Sequence, residues 1–565
     1  MTRRSLLLGL AGAGLFVAAL DAYLVVTLLP AMISDVGLTI DRFEQATPIV
    51  TGFLCGYVIA MPLLGAYSDV RGRAPVYAIC MAVFAAGSAV TATAGLLSLP
   101  GLPWLVAGRL LQGLGGGGLV PLSLALAADL YRDERRAIAL GAVSALQEAG
   151  SVFGPLYGAT LAAAASALGG WRFVFWLNLP LAAVCATGLV IASRDRVTRS
   201  AAHVIDNRTN DSSRTFDNRV SEATRTFDNR VSEATRTFDN RVSEATRTFD
   251  NRVSEATRTF DWKSAVLLGT GLGLFVVALY PDDPTSRATS GLFIPLGSLS
   301  LILLGLYGWR QVRSLEPLIP RQLLRSGRFI GAVVANLLIG AALMVALVDV
   351  PILGRLVFNQ DQLSAGLLLT QFLLGVPIGA VVGGLLADGI GARPTAVIGM
   401  LCSAAAFLQM SGWHAGELAV RVGPIRPADI ALGACGLGFG IVIAPLTAAV
   451  LELTRTQNHG LASSLVVLAR VMGMLIGLST LTAFGLFRFR QILGTPRLND
   501  PDVRARVDHL ARLVAAAFLQ EYREIFTIAA GLCILAAAVV LVTMGRDSSQ
   551  PPAVSPAISA SSPPR

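Results

Sequence analysis

The sequence predicts an all-α polytopic membrane protein made of two pseudo-symmetric six-helix bundles with two extra central helices. The first observation is composition, because 54% of the 565 residues are hydrophobic and only 14% are charged. A soluble domain usually carries ~25% charged residues. The second observation is a series of long apolar segments, and the third is a motif that occurs twice. Together they argue against a soluble enzyme.

Fourteen apolar segments are long enough to cross a bilayer, whose ~30 Å core needs ~20 residues per helix. Six precede a polar stretch, at 5–29, 46–67, 75–97, 103–128, 137–165 and 172–193. Two central spans follow at 262–281 and 290–309. The last six lie at 329–349, 364–387, 394–411, 428–451, 461–487 and 523–545. Span fourteen is expected to have an amphipathic helical extension over Val503, Val507, Leu510 and Val514.

These spans divide the chain into five predicted parts. They are an N-terminal bundle (1–196), a cytoplasmic linker (197–260), the two extra helices with an inner loop (261–327), a C-terminal bundle (328–546) and a disordered cytoplasmic tail (547–565). Arg clusters in the short loops place both termini on the cytoplasmic side of the membrane. The loop 488–522 conflicts with this orientation, because its six Arg fall on the predicted outside.

The remaining composition excludes several kinds of site. The basic residues are one Lys and 44 Arg spread along the chain, so no single face fits nucleic acid. All six Cys lie in apolar runs without metal-ligand spacing, and none of the four His lies within an apolar run. We therefore expect no cofactor, no metal site and no nucleic-acid partner. A run of four glycines at 115–118 lacks the Lys-Ser/Thr of a phosphate loop.

A motif with the pattern G-x-x-x-D-x-x-G and a following Arg occurs after the second span of each six-span unit. Its residues are Gly65, Asp69, Gly72 and Arg73 in the first copy, and Gly384, Asp388, Gly391 and Arg393 in the second. Two copies at equivalent positions indicate duplicated halves. An acid and an Arg around a tight turn can clamp helix ends, so we interpret both copies as gating motifs.

Further strings resemble the major facilitator superfamily, in its fourteen-spanner drug:proton antiporter branch. One is Arg109-Leu-Leu-Gln112-Gly113, and another runs from Gly170-Trp171-Arg172 to Asn178-Leu-Pro180. A third resembles the antiporter signature, with Gly150, Gly154, Pro155 and Gly158 on one helix face. The resemblance implies a secondary transporter, an antiporter engaged in efflux and drug resistance. The glycines also fit plain helix packing, and Pro155 could allow a bend during rocking.

Within this branch, four strings are similar to the actinobacterial triacylglyceride-exporter group, which is also associated with multidrug efflux. They surround Asp21, Glu148, Asp349 and Arg470. That similarity implies a location in a bacterial inner membrane and lipid transport, with a hydrophobic small molecule or lipid as substrate and a periplasmic lipoprotein carrier as partner.

Charged residues inside a bilayer are costly and are functional hypotheses by default. Depths counted along the helices allow an Asp21–Arg109 pair and place Glu148 and Arg470 near the midplane, one in each bundle. We predict that Asp21 and Glu148 couple protons, and that Arg109, Arg470 and Asp349 serve as ion-pair or cavity residues. The alternative is fixed structural ion pairs, and Asp349 could be a solvated helix end.

The linker holds four copies of an eleven-residue repeat, beginning at Phe216, Phe227, Phe238 and Phe249, and a truncated fifth begins at Phe260. Each copy has no net charge. We interpret the repeats as a passive disordered tether. A helix lying on the inner leaflet or pairing with another helix is the alternative.

The sequence therefore predicts a secondary exporter of hydrophobic substrates that is proton-coupled and exports triacylglyceride-like lipid. Three rivals stay open: a multidrug:proton antiporter without a lipid role, a membrane-embedded transferase, and a membrane sensor that does not transport. No convincing catalytic cluster supports the transferase, so we expect no enzyme activity.

Overall fold

A computed structural model describes residues 3–35, 47–96, 101–131, 135–164, 170–193, 260–279, 290–314, 317–358, 360, 367–414, 416–419, 426–454, 458–493 and 503–544. The four complete repeats of the linker and the tail 547–565 lie outside these residues. The first eight long helices are α1 (Arg3–Asp35), α2 (Thr47–Arg71), α3 (Arg73–Ala92), α4 (Gly101–Leu130), α5 (Arg136–Ala164), α6 (Trp171–Ser193), α7 (Trp262–Leu279) and α8 (Phe293–Arg313). Six more are α9 (Gly327–Leu356), α10 (Thr370–Ile390), α11 (Ala392–Ser411), α12 (Pro427–Glu452), α13 (His459–Leu493) and α14 (Val503–Thr543).

The predicted fold class is confirmed within the described chain, where 14 helices are long and apolar enough to cross a membrane. Several helices continue past the ends of their predicted apolar spans. Helix α9 reaches Leu356, so Asp349 lies inside it rather than at its end as predicted. Helix α13 reaches Leu493, and α14 begins at Val503, which confirms that span fourteen has a helical extension. Hydropathy marks where the apolar run stops, whereas a helix can continue into water beyond that point.

The two halves use the same helix pairings. Helix α2 packs on α4 in the N-terminal half, and α10 packs on α12 in the C-terminal half. Helices α1 and α5 form the next pair, and α9 and α13 repeat it. The extra helices α7 and α8 pack on each other, and α7 also packs on α2. This correspondence agrees with the duplicated halves inferred from the motif.

The turn of the duplicated motif has the same backbone in both halves. Gly72 has φ 91° and ψ 154°, and Gly391 has φ 91° and ψ 160°. This region is essentially reserved for glycine, because a Cβ would collide with the backbone. Each glycine immediately precedes the next helix, so the pattern encodes a sharp turn between two antiparallel spans.

The truncated fifth repeat is anchored to the bundle at the start of α7. The Phe260 ring packs edge-on against Tyr67 of α2, with ring centroids 5.5 Å apart. Asp261 accepts hydrogen bonds from Ser264 (2.6 Å) and Arg310 (3.1 Å). Desolvation acts to raise the pKa of Asp261, but these hydrogen bonds outweigh it and hold the pKa below its usual value. The linker therefore ends at a fixed, charged attachment point.

Candidate functional site

A buried polar cluster surrounds Asp21 inside the N-terminal half. Arg109 Nη1 donates to Asp21 Oδ2 over 2.7 Å, as the matched depths of the two residues predict. Gln112 Nε2 donates to both carboxylate oxygens at 3.0 Å, and Asn178 Nδ2 donates to Oδ1 at 2.7 Å. Asp21 is 0% exposed and Arg109 1%. The charge is therefore shared among several donors, as a buried ion pair requires.

Further members of the Asp21 cluster were missed in the sequence reasoning. Ser88 of α3 accepts hydrogen bonds from Gln112 (2.8 Å) and Asn178 (3.2 Å). The guanidinium of Arg109 also lies over the Phe53 ring, 4.4 Å from its centroid. Uncharged polar and aromatic residues are ordinary within apolar spans, so only their spacing relative to Arg109 could have indicated them.

Glu148 and Arg470 meet across the interface between the halves. Arg470 Nη2 lies 3.5 Å from Glu148 Oε1, and the two side chains are 9% and 19% exposed, respectively. Tyr23 and Tyr57 interact electrostatically with both charges. Because this pair is long and partly exposed, it is held less tightly than the Asp21 cluster. It directly joins the two halves of the molecule.

Helix α5 carries Glu148 and packs against α1, the helix that carries Asp21. Gly150 and Gly154 face the backbone of α1 so closely that a Cβ on them would lie 2.5 Å from the Phe16 carbonyl oxygen and 2.6 Å from that of Leu20. Gly158 continues the same contact at Leu24. Pro155 also lies in α5. The antiporter motif therefore packs against the segment of α1 that carries Asp21, and Glu148 lies two residues before Gly150.

The first gating motif forms a charged cluster with the other half. Asp69 accepts hydrogen bonds from the backbone N–H groups of Gly460 and Leu461, both at 2.9 Å, and pairs with Arg73 at 2.5 Å. Arg73 also reaches Asp129 at 3.2 Å, and His459 contacts Asp129 at 2.7 Å. Asp69 thus caps the N-terminus of α13. We call this end of the molecule the gate end.

The second gating motif uses different contacts. Arg393 donates to the carbonyl oxygen of Leu541 at 2.6 Å. Arg393 stands two residues after Gly391, whereas Arg73 directly follows Gly72. The Arg393 side chain therefore leaves its helix in a different direction from that of Arg73, and it reaches α14. A Cβ on Gly384 would lie 2.7 Å from the Ala137 carbonyl oxygen, and one on Gly65 would lie 2.5 Å from that of Gly460. Helix α10 therefore contacts α5 as α2 contacts α13, and the gate end is closed on both sides.

In the described structure, Asp349 makes no hydrogen bond or ion pair with the Asp21 cluster or with the Glu148–Arg470 pair. It interacts electrostatically with Glu521 of α14, a residue that the sequence analysis did not single out. No group of three or more His, Cys, Asp or Glu that could hold a metal occurs among the described residues.

The comparisons with known proteins agree with this architecture. The family model described as Major Facilitator Superfamily matches residues 11–222 and 357–565. A protein named triacylglyceride transporter from Mycolicibacterium smegmatis is 35% identical over 559 residues, covering 96% of this chain and 88% of that protein. One of the same name from Mycobacteroides abscessus is 36% identical over 496 residues, covering 87% and 84%.

Two solved structures have a similar fold. The human organic anion transporter MFSD10 superposes with a TM-score of 0.56 at 16% identity, covering 96% of this chain and 100% of that one. The proton:xylose symporter XylE gives 0.55 at 14% identity, with 95% of each chain covered. The paired bundles, the duplicated motif and these matches identify a multi-pass membrane transporter rather than an enzyme, and the chain belongs to the major facilitator superfamily.

Proposed function

We propose that this transporter exports a triacylglyceride-like lipid across the inner membrane and is driven by protons. The single observation that carries the coupling is the Glu148–Arg470 pair, 3.5 Å apart and shared between the halves. Rocking that separates the halves would remove the Arg from the carboxylate, and a carboxyl without its cation binds a proton more readily. Reclosure would bring the Arg back and release that proton.

Asp21 has a different part in this proposal. It is completely buried and bound by Arg109, Gln112 and Asn178, so it exchanges a proton only when these donors move away. Motion of α5 provides a route, since Gly150 and Gly154 pack on the backbone beside Asp21. We therefore propose Glu148 as the directly accessible carrier and Asp21 as a carrier that depends on α5.

The lipid substrate is proposed from the names of the two mycobacterial relatives and from helix length. Helix α13 has 35 residues and α14 has 41. At 1.5 Å per residue they measure ~52 Å and ~61 Å, well beyond the ~30 Å hydrocarbon core. The Phe489 and Phe518 rings stack 4.3 Å apart, and Arg488 pairs with Glu524 at 2.5 Å, so the two extensions hold together.

Such a paired extension could guide an acyl chain outward, or present it to a lipoprotein partner on the far side of the membrane. A pair of helices that merely rests on the membrane surface is the alternative. Drug efflux is the competing activity, and it requires neither the extension nor a lipoprotein.

A deletion strain tests the substrate. Total lipids would be extracted from the parent, the deletion strain, and strains complemented with wild type, Glu148→Gln or the control Asp35→Asn. Asp35 is a suitable control because its side-chain contacts in the described structure, with Arg172 and Trp171 of α6, stay within the N-terminal half. We expect triacylglyceride retention in the deletion and Glu148→Gln strains only. Normal lipids with raised drug susceptibility would instead support the multidrug antiporter.

A further inference from the structure

Two acidic side chains lie at the end of the C-terminal half opposite the gate end. Asp349 comes twenty-two residues after the first residue of α9, Gly327. Glu521 comes twenty-two residues before the last residue of α14, Thr543. Gly477 of α13 lies against Ala341 of α9. Eight residues farther along these two helices come Gly485, which lies against Glu521, and Asp349. The two acids therefore lie at about one level where α9 packs on α14, and they interact electrostatically.

The surroundings of Glu521 are closed and lack a donor. Glu521 is only 6% exposed, and its Oε2 atom has no hydrogen-bond partner among the described residues. The other carboxylate oxygen of Glu521, Oε1, approaches α13 so closely that a Cβ on Gly485 would collide with it. Tyr522, also buried, interacts electrostatically with both acids. The site is therefore built from α9, α13 and α14.

The nearby cations have other partners. Arg488 of α13 binds both carboxylate oxygens of Glu524, at 2.6 and 2.5 Å. Arg523 of α14 donates to the carbonyl oxygen of Trp413 at 3.2 and 3.1 Å. Helix α12, which also packs on α9, contributes a further acid, Asp429, in its first turn, and α9 itself carries Arg355 near its end. Among the described residues, no ion pair or hydrogen bond joins an Arg, Lys or His side chain to Asp349 or Glu521.

Two neighbouring anions in a low-dielectric site without a cation are strongly destabilised. A divalent ion would need six or more oxygen ligands, which two carboxyl groups do not supply. A proton needs only one carboxylate oxygen, and its binding removes one of the two neighbouring negative charges. We propose that Asp349 and Glu521 form a second proton-binding site that holds one proton taken from the aqueous phase on that side.

This site is separate from the proposed coupling pair. Gly485 of α13, which lies against Glu521, comes fifteen residues after Arg470, so the acidic pair is ~22 Å farther along this helix. Proton binding here does not depend on transport or on its driving force. It can be measured on purified protein, so its failure and that of the proposed function are distinguishable.

Infrared difference spectra of the purified full-length protein, recorded during a pH titration, report the protonated carboxyl group directly. We expect the wild type to show the absorption of a buried carboxylic acid that disappears as the pH rises. In Asp349→Asn or Glu521→Gln the remaining acid has no anionic neighbour, so the midpoint of this loss should move to lower pH. The double variant should lose the contribution of this pair and keep only that of other buried carboxyl groups such as Asp21 and Glu148, and Asp35→Asn should titrate like wild type.

Absence of the absorption in the wild type would overturn the proposal, and so would single variants whose midpoint equals that of the wild type. Gly485→Ala keeps both acids but displaces Glu521. It should also move the midpoint, and it decides the matter if the charge-removing variants do not fold. An unchanged midpoint in folded Gly485→Ala protein would mean that the two acids titrate independently.

Discussion

Replacing Asp69 with Asn should loosen the closed gate end by an amount that follows from its contacts. The Asp69–Arg73 pair lies within one half, so rocking does not break it. Among the described residues, the contacts of the Asp69 carboxylate that cross between the halves are the hydrogen bonds from the N–H groups of Gly460 and Leu461, each 2.9 Å long. Loss of a helix cap costs ~1 kcal/mol, and hydrogen bonds to a charged group contribute ~1.5–3 kcal/mol each.

The neutral Asn still offers one oxygen, so we expect the closed form to lose about 2 kcal/mol relative to the open form. At 1.4 kcal/mol per factor of ten, this shifts the equilibrium about 30-fold toward opening. Spin labels at Arg71→Cys and Ile390→Cys, at the ends of α2 and α10, report the separation of the halves. The six native cysteines would first be replaced by Ser.

We expect Asp69→Asn to add a population at longer label separation, and the control Asp35→Asn to leave the distribution unchanged. An Asp69→Asn protein with the wild-type distribution would refute the view that this carboxylate holds the halves together. A change of equal size in Asp35→Asn would mean that the effect is not specific to the gate.

Three further predictions concern coupling, the linker and the long helices. Asp21→Asn and Glu148→Gln keep the side-chain shape but remove the titrating group. Both variants should fold normally and lose uphill export in reconstituted vesicles. A wild-type export rate in either variant would exclude that carboxyl group as a proton carrier. Deleting residues 216–248 removes three repeats and keeps the Phe260 anchor, and slack costs little, ~0.6 kcal/mol per doubling of a loop, so the shortened protein should export like the parent. A defect seen only in vesicles with anionic lipid would support the leaflet-helix alternative. Trimming residues 495–515 removes the beginning of α14 and the segment before it, and it should impair lipid export more than drug resistance. Equal loss of both, measured in cells and vesicles, would indicate a general folding or gating defect.

Much of the fold could be predicted because hydropathy reports directly on membrane spans. The Asp21–Arg109 contact could be predicted as well, since two charges at one depth in an apolar bundle have few other partners. Ser88 and Asn178 could not, because single polar residues in an apolar run do not reveal which way they face. Glu521 was hidden for another reason. It lies in the polar run Gln520–Glu524, which resembles a water-exposed loop and is in fact part of a long helix.

The duplicated motif gives a similar lesson at the level of single residues. Gly72 and Gly391 adopt the same backbone, as the shared pattern predicts. Yet Arg73 joins a charged cluster, while Arg393, displaced by one position, binds a carbonyl oxygen of α14. Spacing fixes the turn, but the direction of a long side chain depends on tertiary packing.

The central claim, that lipid export is driven by protons through Glu148, is tested most directly in vesicles with an imposed pH gradient. The protein would be reconstituted, and transfer of a labelled triacylglyceride would be followed with the gradient present, absent and collapsed by a protonophore. The account predicts that wild type and Asp35→Asn accelerate transfer only with the gradient, and that Glu148→Gln does not respond to it. Gradient-independent transfer by the wild type, or a full response in Glu148→Gln, would contradict the account.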